Sequence, residues 1–264
     1  MKADDIKSIG ILGAGMMGGG IAQSAVLAGY PVIIRDLKDD YCEQARNIIM
    51  DGPFGFRKAV ERGKLSADQV EAAMGRLRFT TKLEDLQDCD YIIEAIGEGQ
   101  RGGQLEDKAK KLAIFTELDK AIKPEAVFAS NTSKFTIADL AAVTGRKDRF
   151  IGTHLFSPAN IMKLVEVTHT EDTREDVVTM TEDLFKKMGK VPIRVKDVPG
   201  DTAFVANRIM FAVRKEAQAI VDAGIATEEA VDLAVTLGFK WPVGPFSLSG
   251  RAKKGWDKKQ DQTK

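Results

Sequence analysis

Ile9-Gly10-Ile11-Leu12-Gly13-Ala14-Gly15-Met16-Met17-Gly18 is the stretch on which the fold turns. Four strand-forming residues run into glycines spaced Gly-x-Gly-x-x-Gly, and Ile21-Ala22 then opens a helical pattern, so strand, tight turn and helix are predicted in succession. Gly13 permits the turn, Gly15 lets the backbone approach a pyrophosphate, and Gly18 allows the helix to pack on the strand while its first amides face the phosphates. Ala14, Met16 and Met17 fill the remaining places of this cofactor-binding turn. Asp36 closes the next apolar run, Pro31-Val32-Ile33-Ile34-Arg35-Asp36, at the distance where a carboxylate accepts hydrogen bonds from the adenosine ribose hydroxyls. An acid there favours NAD; Arg35 and Lys38 beside it leave NADP as the alternative. The bland reading, a glycine-rich turn and an ordinary exposed aspartate, does not account for strand, glycines, helix and acid together.

Working outward, apolar β-branched runs recur at Val32 to Ile34, Tyr91 to Ile93, Val127 to Ala129, Phe150 to Thr153, Leu164 to Val167 and Val191 to Val195. Helical patterns lie between them at Ile21 to Ala28, Tyr41 to Arg62, Lys110 to Ala121 and Asp176 to Met188. Strand alternating with helix specifies an α/β fold, here a Rossmann-type, doubly wound and mostly parallel sheet. After Val195 the strands stop. Lys196-Asp197-Val198-Pro199-Gly200 reads as a connector, and Phe204 to Val221 and Glu228 to Leu237 have helical periodicity, predicting a smaller all-α C-terminal domain. The expected division is a dinucleotide-binding domain over 1–198, a helical domain over 199–248 and a lysine-rich, disordered tail over 249–264.

The 264 residues suffice for a large core plus a smaller domain, and 39 basic residues balance 39 acidic ones. No electrostatic footprint for nucleic acid is present. The longest apolar stretches are broken well short of the ~20 residues that a membrane-spanning helix needs. The N-terminus lacks the basic start and apolar stretch of a secretion signal. Cys42 and Cys89, each in a segment read as helix or strand, fit a reducing compartment, and the cytoplasm is expected. No metal cluster is expected.

Hydride transfer to a nicotinamide needs a group that takes the alcohol proton, and imidazole is suited to it near neutral pH. Of the two histidines, His169 lies in the polar Val167-Thr168-His169-Thr170 stretch and reads as a surface residue. His154 follows Phe150-Ile151-Gly152-Thr153 at a strand's C-terminal end, the edge where open α/β sheets bind ligands. Glu166 is the odd residue in Leu164-Val165-Glu166-Val167, where a core-facing carboxylate needs a partner. His154 is the natural one, and a carboxylate on one imidazole nitrogen leaves the other free to accept a proton. A satisfied core histidine with an unrelated edge glutamate is the structural alternative. Ser133 follows the strand ending in Ser130 and is not needed as a helix cap, because Thr136 to Asp139 carries a capping signal of its own. Ser133 is thus a candidate to hold the substrate oxygen, or simply part of a polar turn. Asn207 is a candidate of the same kind, or a helix residue facing water.

Gly13 to Gly18, Ser130-Asn131-Thr132-Ser133, Gly152 to Pro158, Met162 to Val167, Val205 to Arg208 and Trp241 to Phe246 together resemble, in order and spacing, the motifs of the 3-hydroxyacyl-CoA dehydrogenase family, whose members include 3-hydroxybutyryl-CoA dehydrogenases. The resemblance implies NAD-dependent, reversible oxidation of a (S)-3-hydroxyacyl-CoA to the 3-oxoacyl-CoA, in fatty-acid oxidation or butanoate metabolism, and a homodimer made through the C-terminal helices. It places the catalytic pair on His154 and Glu166. It implies substrate contacts from Ser133 and Asn207, with Ser133 also near the nicotinamide, and Lys111 near the cofactor ribose. Ser157 stands where the family has an asparagine beside the cofactor. A family glutamate that approaches the cofactor falls on Glu98, by counting from the strand, or on Glu106, because Glu98 to Lys111 carries extra residues. Basic contacts to the CoA phosphates fall among Arg57, Lys58, Arg62 and Lys64, of which Arg62 is the choice; a solvated helix face is the alternative.

After Ser249 the family pattern stops, so a shortened helical domain is expected. Two other readings follow. One is a dehydrogenase of the same plan acting on free hydroxy acids with a catalytic lysine, against which His154 and Glu166 speak. The other is a catalytically impaired, NAD-binding structural or regulatory protein.

Overall fold

The computed structural model describes residues 2–97, 104–198 and 204–248, with the backbone alone over 104–107. Glu98 and the tail 249–264 therefore lie outside the described residues, as does the side chain of Glu106. The chain forms two compact units, Met1–Thr202 and Ala203–Lys264.

The first unit is built on an eight-stranded sheet with strands β1 (Ile9–Leu12), β2 (Val32–Arg35), β3 (Leu77–Thr80), β4 (Tyr91–Glu94), β5 (Val127–Ser130), β6 (Phe150–Leu155), β7 (Leu164–His169) and β8 (Val191–Lys196). Their order is β3-β2-β1-β4-β5-β6-β7-β8. Every neighbouring pair from β3 to β6 is parallel, β7 runs antiparallel to β6, and β8 is parallel to β7. The chain winds outward from β1 through β2 to β3, then returns to the other side of β1 with β4. That reversal opens a crevice at the C-terminal ends of β1 and β4, the place where doubly wound sheets take ligands. The helices are α1 (Met16–Leu27), α2 (Asp39–Asp51), α3 (Phe56–Glu61), α4 (Ala67–Met74), α5 (Gln104–Ala121), α6 (Ile137–Ala141) and α7 (Glu175–Lys187). Ile9, Ile11, Ile21, Val26, Val127, Val165, Val167 and Phe185 are all inaccessible in one continuous core. Strands covered on both faces need uniformly apolar residues, which explains the unbroken runs in β1, β4 and β5.

Four local features differ from the sequence reading. Leu77-Arg78-Phe79-Thr80 is the edge strand β3, with Leu77 buried and Arg78 exposed; its four residues are too few for a period to stand out, and a charged outer residue guards the edge. The single helix expected over Tyr41 to Arg62 is two, because Pro53 excludes helical backbone at Gly52, which sits at φ −61, ψ 168. Ala67–Met74 is a helix whose start was legible: Ser66 accepts from the Gln69 amide at 3.1 Å while Gln69 Oε1 accepts from the Ser66 amide at 2.8 Å, a reciprocal capping box. Cys89 lies in the turn before β4 and not in a strand or helix, whereas Cys42 is on α2. Both are buried free thiols, and burial pushes the Cys89 thiol up to about 11.

The second unit contains α8 (Ala206–Asp222), α9 (Glu228–Phe239) and α10 (Pro245–Leu248) around Ala217, Val231 and Phe246. Asp232 on α9 accepts from the amides of Phe246 and Ser247, both at 2.9 Å, and so fixes the last turn. Among the described residues no helix is long and apolar enough to cross a membrane, and no group of three or more metal-ligating side chains forms.

Candidate active site

The glycine turn after β1 uses its three glycines for three physical reasons. Gly13 has φ +101, and a Cβ there would lie 2.6 Å from the Ala95 carbonyl oxygen; at Gly18 it would lie 1.9 Å from the Gly13 oxygen. Those two positions exclude any side chain. A Cβ on Gly15 would meet nothing within 4 Å, so the space before the first amides of α1 is open, as a pyrophosphate requires. Asp36 lies just beyond β2 and accepts from the Ala14 amide at 2.6 Å and the Leu37 amide at 2.7 Å. The carboxylate therefore braces the turn from the position where ribose hydroxyls would bind. Arg35 is turned to the Thr81 carbonyl, its Nε donating at 3.3 Å. Met16 is 62% exposed at the head of α1, and Ser157 donates to its Sδ at 3.3 Å, which brings Ser157 to the cofactor turn. Met17 packs against the core. This cradle fits a dinucleotide.

The antiparallel register of β6 and β7 sets His154 directly opposite Glu166. Directly opposed residues share one face of a sheet with Cβ atoms about 5 Å apart, so the two side chains must meet. His154 Nδ1 donates to Glu166 Oε2 at 2.7 Å, with Glu166 at 0% and His154 at 6% exposure. The direction follows from chemistry: an ionised carboxylate only accepts, so Nδ1 carries the proton of this bond. Phe156 lies against the imidazole with ring centroids 4.5 Å apart. The sheet thus holds an imidazole oriented by a carboxylate, an arrangement that can serve as a general base.

A second buried charge cluster was not read from the sequence. Glu94 ends β4 at 0% exposure and pairs with Lys111 Nζ at 2.5 Å. The same carboxylate accepts from the Ile96 amide at 2.7 Å and from Ser130 Oγ at 2.6 Å, and Lys111 also donates to the Ile96 carbonyl at 3.1 Å. A carboxylate in an otherwise apolar strand was the available signal, the one that singled out Glu166. Lys111, expected near the cofactor ribose, is 2% exposed and anchors the backbone that follows β4.

Ser133 sits in the turn after β5, at the same sheet edge as His154. Asn131 ties this turn to the end of β6: its Oδ1 accepts from the Leu155 amide at 2.9 Å. The capping signal read at Thr136 is corrected, since Thr136 makes no side-chain cap bond and Asp197 Oδ2 accepts from the Ala138 amide at 2.8 Å instead. A carboxylate from beyond β8 outcompetes the shorter hydroxyl. Asn207 lies on α8, in the second unit. The basic cluster is on α3 and the turn after it, not on α2. There Arg57 pairs with Asp51 at 3.0 Å and Lys58 with Glu61 at 2.7 Å, while Arg62 is exposed and in no salt bridge among the described residues. Lys190 was also missed: it is buried, and its ammonium donates to the carbonyls of Ala159 and Met162 in the turn after β6. Desolvation holds its pKa below the usual lysine value.

The chain matches two family models, the 3-hydroxyacyl-CoA dehydrogenase NAD-binding domain over residues 8–198 and the C-terminal domain of the same family over residues 204–259. It is 37% identical to the 3-hydroxybutyryl-CoA dehydrogenase of Mycobacterium tuberculosis, across 94% of this chain and 82% of that protein. It is 34% identical to the mitochondrial hydroxyacyl-coenzyme A dehydrogenase of Sus scrofa, across 92% of this chain and 75% of that one. The crystal structure of (S)-3-hydroxybutyryl-CoA dehydrogenase PaaH1 from Ralstonia eutropha superposes with a TM-score of 0.84 at 34% identity, covering 92% of this chain and 81% of that chain. With a dinucleotide cradle, a buried imidazole–carboxylate pair at the crevice edge and a model match over most of its length, the chain belongs to the 3-hydroxyacyl-CoA dehydrogenase family.

Proposed function

We propose that this protein is a working NAD-dependent dehydrogenase in which His154 takes the 3-hydroxyl proton of an (S)-3-hydroxyacyl-CoA. The observation that carries the reading is the buried His154–Glu166 bond at 2.7 Å, which engages Nδ1 and so supports Nε2 as the nitrogen that accepts a proton. NAD, when bound, accepts the hydride that leaves C3, giving a 3-oxoacyl-CoA and NADH. The hydroxyl proton passes to His154 Nε2, and Glu166 stabilises the imidazolium that results. Gly13, Ala14, Gly15, Met16, Met17 and Gly18 hold the pyrophosphate. Asp36 holds the ribose, and its negative charge disfavours a 2′-phosphate, selecting NAD over NADP. Lys111 serves the cofactor ribose from behind the turn, Ser133 also stands near the nicotinamide, and Ser157 approaches the cofactor together with Glu98 in preference to Glu106. Ser133 and Asn207 bind the acyl end, and Arg62 a CoA phosphate. The names of the bacterial relatives favour a four-carbon acyl group, in keeping with a role in fatty-acid or butanoate metabolism.

The direct test is NADH formation from L-3-hydroxybutyryl-CoA and NAD, repeated with NADP, with the D-enantiomer and with free 3-hydroxybutyrate. Turnover confined to NAD with the L-thioester is the expected result. Activity on the free acid alone reverses the substrate assignment, and NADH binding without turnover favours an impaired nucleotide-binding protein.

We further infer a homodimer through the helical unit, where Ile209, Phe211, Ile225, Leu237 and Phe239 are all more than half exposed. Apolar side chains on this scale are costly in water unless covered. Sedimentation velocity is expected to show a dimer that Leu237→Lys with Phe239→Lys converts to a monomer; a monomeric wild type at micromolar concentration defeats the assignment. The domain division 1–198, 199–248 and 249–264 is retained as the working scheme. The cytoplasm, a reducing compartment, suits the two buried free thiols.

A further inference from the structure

We propose that Asn131 is a positioning residue for the proton-accepting imidazole, holding the backbone of His154 from the side opposite Glu166. The sheet creates the need for it. Strand β5 ends at Ser130, opposite Gly152, but β6 runs on through Thr153, His154 and Leu155. Past Gly152, β6 has β7 on one side and no pairing with β5 on the other. Asn131, the first residue after β5, fills this gap with its side chain, Oδ1 accepting from the Leu155 amide at 2.9 Å. One more rung is thereby added to the ladder, at the peptide bonded to His154.

Asn131 is itself held. Its amide donates to the Glu94 carbonyl at 2.8 Å, and the Glu94 side chain is anchored by Lys111 and Ser130. The tie therefore runs from the end of β4, through Asn131, to the strand that carries His154. On the far side Glu166 fixes the imidazole ring. Glu166 sets the ring's tautomer and tilt, and Asn131 sets where the ring's Cα stands. Displacement of a catalytic group by a fraction of an ångström slows the step that needs alignment and leaves binding in place.

The inference rests on His154 being the proton acceptor, and the experiment separates the two. Asn131→Ala is expected to lower kcat by roughly tenfold or more, with the NADH Kd and the KM for the acyl-CoA unchanged. The kinetic isotope effect with C3-deuterated substrate is expected to rise, because the hydride step becomes more rate-limiting. Asn131→Asp keeps an acceptor oxygen in the same place and is expected to recover most of the rate. Three results overturn the proposal: an unchanged kcat, a lowered Tm with kcat per folded enzyme and isotope effect unmoved, or a loss that Asp does not relieve. Parallel weakening of NADH binding identifies Asn131 as a cofactor contact and also overturns it. Full activity in His154→Gln sinks the underlying reading instead, whereas an inactive His154→Gln beside a normal Asn131→Ala removes this inference alone.

Discussion

His154→Gln is expected to lower kcat by about 10²- to 10⁴-fold, the range that a positioned general base contributes, while NADH binding is unchanged. Glutamine nearly matches imidazole in reach, and its amide can still donate to the Glu166 carboxylate, so the buried charge keeps a partner and the fold is preserved. What disappears is the basic nitrogen. The alcohol proton must then leave to water or to a group outside the pair, and the hydride step loses the partner that keeps charge balanced as it proceeds. Stopped-flow or steady-state NADH absorbance gives the rate, and fluorescence titration gives the NADH affinity. A variant with wild-type kcat shows that another group accepts the proton. A variant that no longer binds NADH shows that His154 serves the cofactor cradle.

Lys111→Met is expected to be the most destabilising single change among the buried polar residues. It leaves the Glu94 carboxylate at 0% exposure with donors from Ile96 and Ser130 but without its cation. Stranding one charge of a buried pair costs about 3–5 kcal/mol. For a unit of this size, at roughly 2–4 °C per kcal/mol, the melting temperature should fall by roughly 6–20 °C. The double variant Glu94→Gln with Lys111→Met removes both charges and should recover most of the loss, since a neutral amide can still accept from the Ile96 amide. Calorimetry on the wild type, Lys111→Met, Glu94→Gln and the double variant reads the coupling. Additive losses, or a single variant with wild-type Tm, show that the charges do not act as a pair. Because Glu94 also accepts from Ser130 beside Asn131, the single variant should lower kcat even where the protein remains folded.

The local pattern was sufficient for the architecture and for singling out the glycine turn, Asp36, His154 and Glu166 as candidates. Strand, glycines, helix and acid specified the cofactor crevice because each obeys a short-range rule: Gly13 and Gly18 have no room for a Cβ, and Asp36 is one strand away from them. His154 and Glu166 were legible because a histidine and a glutamate in apolar strands are costly without partners. Their direct opposition, however, follows from β7 turning antiparallel to β6, and neither strand's residues encode that reversal. Glu94 carried the same signal as Glu166, but its partner comes from α5, 17 residues further on, so no local period connects Glu94 to Lys111. Likewise Asn131, Lys190 and Asp197 are ordinary polar residues in sequence. Their tasks arise only when the sheet brings Asn131 and Lys190 to the C-terminal end of β6 and sets Asp197, at the other end of β8, against the start of α6. What the sequence determined by itself was which residues must be buried and which backbone positions must be glycine, since local sterics and desolvation decide both. What the tertiary structure alone decided was which buried charge meets which, since strand order and direction are settled by how the whole sheet closes its core.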